Sequence, residues 1–343
     1  MNKSRAYLKL WPGFCWRRQV INQITRLKIA VISPKPLYSL KDLEFRLGES
    51  REKLRFLAEN WRNEYSPFQQ FKEPKPFQKE QKQSKPRNID NPSAVLKAVQ
   101  KKILEKLLKP VMLPNFLFGG VAKLSIKEHA GAHLGSSCVV KMDVKSYYPN
   151  VTSRHVYSVW HEVLGYSPSI AALLTKLTTY EWHLPQGAPT SPALANLYLA
   201  SIYTPVLESC SVSAILPTTW VDDLIFSGPN ARSIMEPVRR IFAEHGFKLS
   251  HKKRFVLGSH DSKVVTGIRL GAHEIRAPKD KLHDLRAAIH KLEIGMSAAE
   301  AEKQIRSVKG KLNHIRSICL RDASKLEEKF HRVLEASHYS FPK

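Results

Sequence analysis

Asp143, Asp222 and Asp223 are the residues of this sequence whose types and spacing could do chemistry. Asp222 and Asp223 are adjacent, with Trp220 and Val221 before them and Leu224, Ile225 and Phe226 after. Carboxylates are disfavoured inside apolar strands because desolvating a charge is costly. A solvated hairpin bend alone would account for the pair. Asp143 changes the balance, because it ends a second apolar run of Cys138, Val139, Val140 and Met142. Acids brought from separate strand ends to one spot supply the hard oxygen ligands that Mg²⁺ takes. Two such ions, about 3.5–4 Å apart, stabilise both the attacking and the leaving oxygen of a phosphoryl transfer. The three aspartates therefore point to two-metal phosphoryl-transfer chemistry.

The elements that must position them follow from pattern. Residues 137–145 predict a strand, and 213–228 a β-hairpin bent at Asp222–Asp223. Between them lies LPQGAPTSPALANLYLA, residues 184–200. Gly187 permits close backbone approach, and Pro189 and Pro192 stiffen the loop. Thr190 or Ser191, with Pro192 in the first turn, starts a helix over 190–209. The free N–H groups of that helix start suit a phosphate or a base; a plain Pro/Gly turn before a helix is the simpler alternative. Residues 38–65 predict two short helices broken near Gly48. Residues 66–93 hold Pro74, Pro76, Pro86 and Pro92 and read as a linker or an exposed strand pair. Residues 94–109 predict a helix with Val95, Val99, Ile103, Leu104, Leu107 and Leu108 on one face. A helix over 231–246 ends at Gly246, residues 262–276 are strand-like with Gly271 in a turn, and 279–293, 298–318 and 322–336 are basic helices.

Composition narrows the partner. The 343 residues carry 55 Lys and Arg against 30 Asp and Glu, a formal charge of +25. Self-repulsion at this level favours a partner that neutralises it. Nucleic acid ranks first, an anionic membrane surface second and a merely soluble basic protein third. A hydrophobic content of 43% excludes a disordered chain. Cys15, Cys138, Cys210 and Cys319 are far apart and form no CxxC, which argues against zinc and a disulfide framework and for a reducing, cytoplasmic setting. No apolar run reaches the ~18 residues of a spanning helix. Before the first acid, Asp42, the N-terminus carries Lys3, Arg5, Lys9, Arg17, Arg18, Arg26, Lys28 and Lys35. An organelle transit segment and a nucleic-acid-binding arm have that composition equally, and the rest of the chain favours the arm. Its Trp11, Phe14 and Trp16 are either core residues or stacking groups.

MDVKSYYPNV, then QGAPTSPALANLYL, then VDDLIFSG resemble motifs A, B and C of the palm of bacterial retron-type reverse transcriptases, in that order. RNIDNP with LKAVQKKILEKLL resembles the fingers of that family, GFKLSHKKRF its motif D, VVTGI its VTG segment, and KLHDLRAAIH with VKGKLNHIRSI its thumb. The likeness runs from about residue 40 to 335. It implies an α+β right-hand polymerase with fingers, an antiparallel-sheet palm and a helical thumb. The expected divisions are a basic extension over 1–37, fingers with the start of the palm over 38–135, palm over 136–270 and thumb over 271–343.

The same resemblance implies roles. Asp143, Asp222 and Asp223 match the metal-binding triad, with two Mg²⁺ (Mn²⁺ as the alternative ion). Val144 and Lys145 would hold a metal and the triphosphate through their backbone. Tyr148 matches the aromatic that excludes a ribose 2′-OH. Gln186 and Gly187 match the loop over the incoming nucleotide, and Lys85 and Arg87 the cations that grip its triphosphate. Lys253 matches a motif D lysine that serves as general acid for leaving pyrophosphate. Val265, Thr266 and Gly267 would lie at the primer grip, and Lys309, Lys311 and Arg316 would track a duplex. Expected partners are a structured noncoding RNA, its DNA product, dNTPs, an effector protein and a second copy of the chain, with no membrane; the implied role is anti-phage defence. Rival readings are a defence polymerase making untemplated or repetitive DNA, and a catalytically idle RNA-binding scaffold.

The sequence also departs from the family. Trp220–Val221 stand where Tyr-Ala is usual, Tyr147–Tyr148 where two Phe are, and His129-Ala130-Gly131-Ala132-His133 where Asn-Ala-x-x-His is. His129 and His133 lack a nearby third metal ligand, so capping or RNA contact is the expected use. His251 reads as a surface histidine.

Overall fold

Serine side chains start the first helices. Ser39 accepts the Asp42 N–H to open α1 (Leu40–Leu47), Ser50 that of Lys53 to open α2 (Arg51–Glu59), and Ser93 that of Leu96 to open α3 (Ala94–Ile103). Gly48, at φ 63°, ends α1 in the left-handed region. The computed structural model describes residues 35–71, 86–271 and 273–336. The N-terminal arm with Trp11, Phe14 and Trp16, most of the Lys/Gln-rich run, and Lys85 lie outside the described residues.

Of the two readings open for residues 66–93, the strand pair is found: β1 (Tyr65–Gln70) runs antiparallel to β2 (Arg87–Pro92). Helix α3 continues through a π-helical turn at Leu104–Leu108 and buries Leu96, Val99, Gln100, Ile103, Leu107 and Leu108. Val95 was expected on that face but is 51% exposed, because Leu96 takes the inward place in the first turn.

Next come α4 (Ile126–Ala132), β3 (Val139–Asp143), α5 (Tyr147–Asn150), α6 (Ser153–Ser158) and α7 (Pro168–Thr178). The helix expected over 190–209 is two, α8 (Ser191–Ile202) and α9 (Thr204–Val212). Pro205 in the first turn of α9 has no N–H to continue α8, so the chain restarts at Tyr203. Strands β4 (Leu216–Trp220) and β5 (Asp223–Ser227) form the expected hairpin. Its bend lies one residue earlier than expected. Trp220 pairs with Asp223, so Val221 and Asp222 are the turn and Asp223 already belongs to β5. After α10 (Met235–Glu244), β6 (Phe255–Leu257) completes an antiparallel sheet of order β4-β5-β3-β6.

One core runs unbroken from Leu37 to Phe247, so the segments on either side of residue 135 share it. A second core belongs to α11 (Lys279–Ile294), α12 (Ala298–Ile318) and α13 (Leu320–Ala336). Between the two, β7 (Val264–Val265), β8 (Ile268–Leu270) and β9 (Ile275–Arg276) form a small antiparallel sheet. Its Val265 and Ile268 pack with Ala130, Val139, Ile225, Ile318 and Cys319. Arg276 and the Ala277 N–H both bond Asp322 of α13, which joins the small sheet to the helical unit. Among the described residues no helix is long and apolar enough to cross a membrane.

Candidate active site

Register brings the aspartates together. Asp143, last in β3, lies directly opposite Asp223, first in β5, and directly opposed residues project to the same face of a sheet. Asp222 sits in the turn beside them, and its carbonyl accepts the Val144 N–H at 2.9 Å. The hairpin tip is thereby fastened to the end of β3.

That tip is strained. Val221 has φ 59°, a left-handed conformation in which a β-branched residue is an outlier. Gly119 packs against it so closely that a Cβ there would lie 2.6 Å from Val221 N and 2.8 Å from Val221 Cγ2. The strand-like segment carrying Gly119 runs along β4: Thr219 N–H donates to the Phe116 carbonyl, and Phe118 N–H to the Thr219 carbonyl. Asn196 Nδ2 holds the Gly119 carbonyl at 2.7 Å from α8. Gly119 was not among the residues expected to matter; its only sequence signal was the doublet Gly119–Gly120.

The electrostatics fit a hard cation. Asp143 is 4% exposed, and Lys253 Nζ stands 2.5 Å from its Oδ1. The ammonium acts here as a stand-in cation, and its bond to Asp143 raises the Lys253 pKa. Burial lifts Asp222 and Asp223 above the ordinary carboxylate range. Repulsion from Asp223 and Asp143 adds to the effect at Asp222, and repulsion from Asp143 at Asp223. Lys253 and, at Asp223, Lys141 oppose the repulsion, so two lysines face three carboxylates and the site is left short of positive charge. Among the described residues no group of three or more His, Cys, Asp or Glu side chains is arranged to hold a metal ion by itself. An ion held here would have to draw most of its shell from water and substrate phosphates, as Mg²⁺ does in sites with one or two carboxylates.

Other expected site residues fall at varied places. Tyr148 is half-buried near Asp222, and burial first, then that charge, pushes its hydroxyl up to about 12. Its neighbour Tyr147 is a core group that donates to the Ala195 carbonyl. Gln186 and Gly187 dock on β2: Asp90 N–H donates to the Gln186 carbonyl at 2.8 Å, and the Asp90 carboxylate accepts the Gln186 N–H at 3.1 Å. Gly187 has φ 138°, and a Cβ there would meet the Asp90 carbonyl at 2.9 Å. Arg87 is exposed at the start of β2.

The structure narrows four of the expected roles. The Lys145 N–H is committed to the Lys248 carbonyl, and the Lys145 carbonyl to Asn150 Nδ2, so its backbone is not free for a triphosphate. The Val144 N–H is likewise taken, which leaves the Val144 carbonyl for the expected role. Val265 is a core side chain, and only Thr266 and Gly267 form the β7–β8 turn. Lys309, Lys311 and Arg316 are exposed on α12, but Arg316 is paired with Glu327 at 2.7 Å.

The histidines are neither caps nor RNA contacts. Both are fully buried, and α4 is capped by Ser125 and Glu128 instead. His129 Nε2 and His133 Nε2 lie 2.7 and 2.6 Å from the Thr218 hydroxyl. Their Nδ1 atoms lie 3.3 Å from Thr266 Oγ1 and 2.7 Å from Ser227 Oγ. A hydroxyl has one proton to give, so at least one imidazole must donate to Thr218. Thr218→Val is expected to destabilise the protein by roughly 3 kcal/mol in denaturant unfolding, because it strands two buried ring nitrogens. Burial holds His129 down at about 3 against an ordinary 6.5. The unfolded chain therefore binds a proton that the folded chain refuses. This group's contribution is intact above pH 6.5 and is lost as pH falls towards about 3. His129→Asn should flatten that part of the stability–pH curve, and an unchanged curve would show that the site does not exclude the proton.

Comparison with known proteins identifies the family. The family described as reverse transcriptase (RNA-dependent DNA polymerase) matches residues 75–270. The Retron Ec86 reverse transcriptase of Escherichia coli is 29% identical over 254 residues, covering 71% of this chain and 78% of that one. The Retron Se72 reverse transcriptase of Salmonella heidelberg is 26% identical over 242 residues (68% and 62% coverage), and the Retron Mx162 reverse transcriptase of Myxococcus xanthus 28% over 252 (63% and 52%). The chain thus spans about half to three-fifths of the length of these last two. A solved telomerase from Candida albicans, in complex with a fragment of telomeric RNA, aligns over 84% of this chain and 60% of that one, with a TM-score of 0.43 and 10% identity, a likeness too distant to bear on function. The chain belongs to the reverse transcriptase family, is of the retron type, and is an RNA-directed DNA polymerase.

Proposed function

We propose that the enzyme copies a structured noncoding RNA into single-stranded DNA by two-metal nucleotidyl transfer, as a retron polymerase in anti-phage defence. The observation that carries this reading is the opposition of Asp143 and Asp223 across β3 and β5, with Asp222 fastened beside them. Asp143, Asp222, Asp223 and the Val144 carbonyl would hold the ions, Mg²⁺ by preference. When bound, the ions supply positive charge to the attacking and leaving oxygens.

The chain's own residues do the rest. Tyr148 walls the sugar and rejects a 2′-hydroxyl. The Gln186–Gly187 loop, braced on Asp90, lies over the incoming nucleotide. Lys253 leaves Asp143, which relieves the interaction that raises its pKa, and protonates the departing pyrophosphate. Lys309 and Lys311 on α12 meet the duplex backbone without reading bases. In this reading the shared core forms fingers and palm, and the three-helix unit is the thumb. The partners are the RNA, its DNA product, dNTPs and an effector protein.

The test is to purify the protein from its native locus and extract the bound nucleic acid. A discrete DNA species whose mobility shifts on RNase treatment is expected. Long heterogeneous or homopolymeric DNA would instead mean a defence polymerase of another kind, and RNA alone would leave copying unsupported. Tyr148→Ala should reduce discrimination against ribonucleotides by about 10²-fold, the scale of a pocket's selection against one added hydroxyl. Competitive incorporation of rNTPs and dNTPs measures this, and equal discrimination in the variant would remove the gate role.

A further inference from the structure

The turn that leads into the Gln186–Gly187 loop is built from unsuitable residues. Tyr180 and His183 exchange both backbone hydrogen bonds at 2.9 Å, which makes Glu181 and Trp182 a two-residue hairpin turn. Their φ values are 43° and 65°. Such a turn needs positive φ at both centres and is normally Asn-Gly or Asp-Gly. Glutamate and tryptophan are disfavoured there. The turn is nonetheless held firmly, since the Trp182 carbonyl accepts the Ser153 N–H at 2.8 Å. Packing does not explain the choice of tryptophan. Trp182 is 64% exposed and is the one strongly exposed tryptophan among the described residues.

Its surroundings form an aromatic cluster capped by an exposed ion pair, Arg62 with Glu181 of the same turn at 3.8 Å. Trp61 meets Trp182 edge-on, with ring centroids 6.0 Å apart. The Arg62 guanidinium lies 4.9 Å from the Trp61 centroid and 5.9 Å from that of Trp182. Tyr180 stacks on Tyr65 beneath them at 4.5 Å. The cluster shares an anchor with the nucleotide loop, because the Asp90 carboxylate bonds both His183 Nε2 at 3.2 Å and the Gln186 N–H at 3.1 Å. Trp182 and Gln186 are four residues apart, so their Cα atoms are separated by at most about 14 Å, the length of a few stacked nucleotides.

We propose that Trp182, with Trp61 and Arg62, is a stacking platform for the unpaired RNA template strand as it approaches the reaction centre. An exposed indole offers a π-face to any base, and the Arg62 guanidinium, whose charge is shared with Glu181, can still stack on a base through its plane. Both interactions tolerate every sequence, which is what a surface that passes template along requires. Only an unpaired strand has base faces free to be taken this way. The net charge of +25 favours such a polyanion over a neutral protein partner. The strained turn is retained because it aims the ring outward from a fixed backbone.

This inference rests on the template-copying reading above. The test uses fluorescence anisotropy on a DNA primer annealed to an RNA template with a single-stranded 5′ overhang, intact or with abasic residues in the overhang. The wild-type enzyme is expected to bind the intact overhang about tenfold more tightly than the abasic one. Trp182→Gly, which suits the turn and so keeps the fold, should bind both equally, and Trp182→Tyr should retain most of the preference. The same intact-to-abasic ratio in wild type and Trp182→Gly would overturn the platform; a changed oligomeric state with that unchanged ratio would assign the patch to a second copy of the chain. Failure of the wild-type enzyme to extend the primer would instead overturn template copying itself.

Discussion

The double variant Asp222→Asn with Asp223→Asn is expected to lose nucleotide incorporation by at least about a thousandfold while its metal-free form melts at a higher temperature than the wild type. The two effects share a cause. Both carboxylates are held above their ordinary pKa by burial and by negative neighbours. An acid whose folded pKa is raised destabilises the native state once ionised. That penalty is absent below the unfolded value of 3.8 and complete above the raised folded value. Above that raised value the metal-free protein bears it in full. Asparagine has the shape without the charge and lifts it. It also removes the ligands, so Mg²⁺ should raise the wild-type melting temperature and leave that of the variant unmoved. Thermal unfolding in chelator and in Mg²⁺, beside primer extension, reads all three. A variant that stayed active, or that melted lower without metal, would show that these aspartates hold up the hairpin rather than an ion.

This pH dependence opposes that of His129, which loses stability as pH falls from 6.5 towards about 3. The two share Lys141 as a charged neighbour but hydrogen-bond to different partners, His129 to Thr218 and Thr266 and Asp143 to Lys253, so the His129→Asn variant and the double aspartate variant separate them by the opposite signs of their slopes.

What could be read from the sequence depended on whether the signal was local. The three aspartates were legible because each interrupts or ends an apolar run. The strands and helices around them followed from periodicity, capping serines and Gly48. The exact bend was not legible, since Val221 is among the residues least suited to positive φ and nothing in its type announces a turn. The helix over 190–209 was overextended because a buried apolar run conceals a break that only Pro205 marks. The histidines fell on one helix face by their spacing, but spacing does not say what that face meets. Their partners Thr218, Ser227 and Thr266 lie between 85 and 137 residues away in sequence. Nothing in the sequence singled out Trp182; its backbone conformation and exposure set it apart. Lys145 matched its motif by residue type, while the availability of its N–H was decided by a contact with Lys248.

Gly119→Ala is the second substitution with a large expected effect, and it touches no proposed ligand. The added methyl would stand 2.6 Å from Val221 N, 2.8 Å from Val221 Cγ2 and 2.9 Å from the Trp220 carbonyl carbon. Two of these atoms are backbone, so relief requires the turn itself to move. Asp222 is the next residue in that turn, and its carbonyl is what ties the tip to Val144. A displacement of about 1 Å at a reacting centre costs on the order of 10²-fold in rate, and overpacking a close contact costs about 1–3 kcal/mol of stability. Gly120→Ala is the control. Gly120 has φ 73°, so alanine is strained there, but its Cβ would meet only Pro192 Cβ at 3.4 Å and Asn196 Nδ2 at 3.7 Å. It should cost about 1 kcal/mol and leave the turnover number within a few-fold of wild type. Val221→Gly in the Gly119→Ala background removes the Cγ2 clash and the left-handed strain together, and should recover part of the lost rate. Turnover at saturating template, set against melting temperature for the three variants, separates displacement of the aspartates from loss of stability. If Gly119→Ala and Gly120→Ala lost rate only in proportion to stability, the glycine would be a packing residue and not the buttress that sets where Asp222 stands.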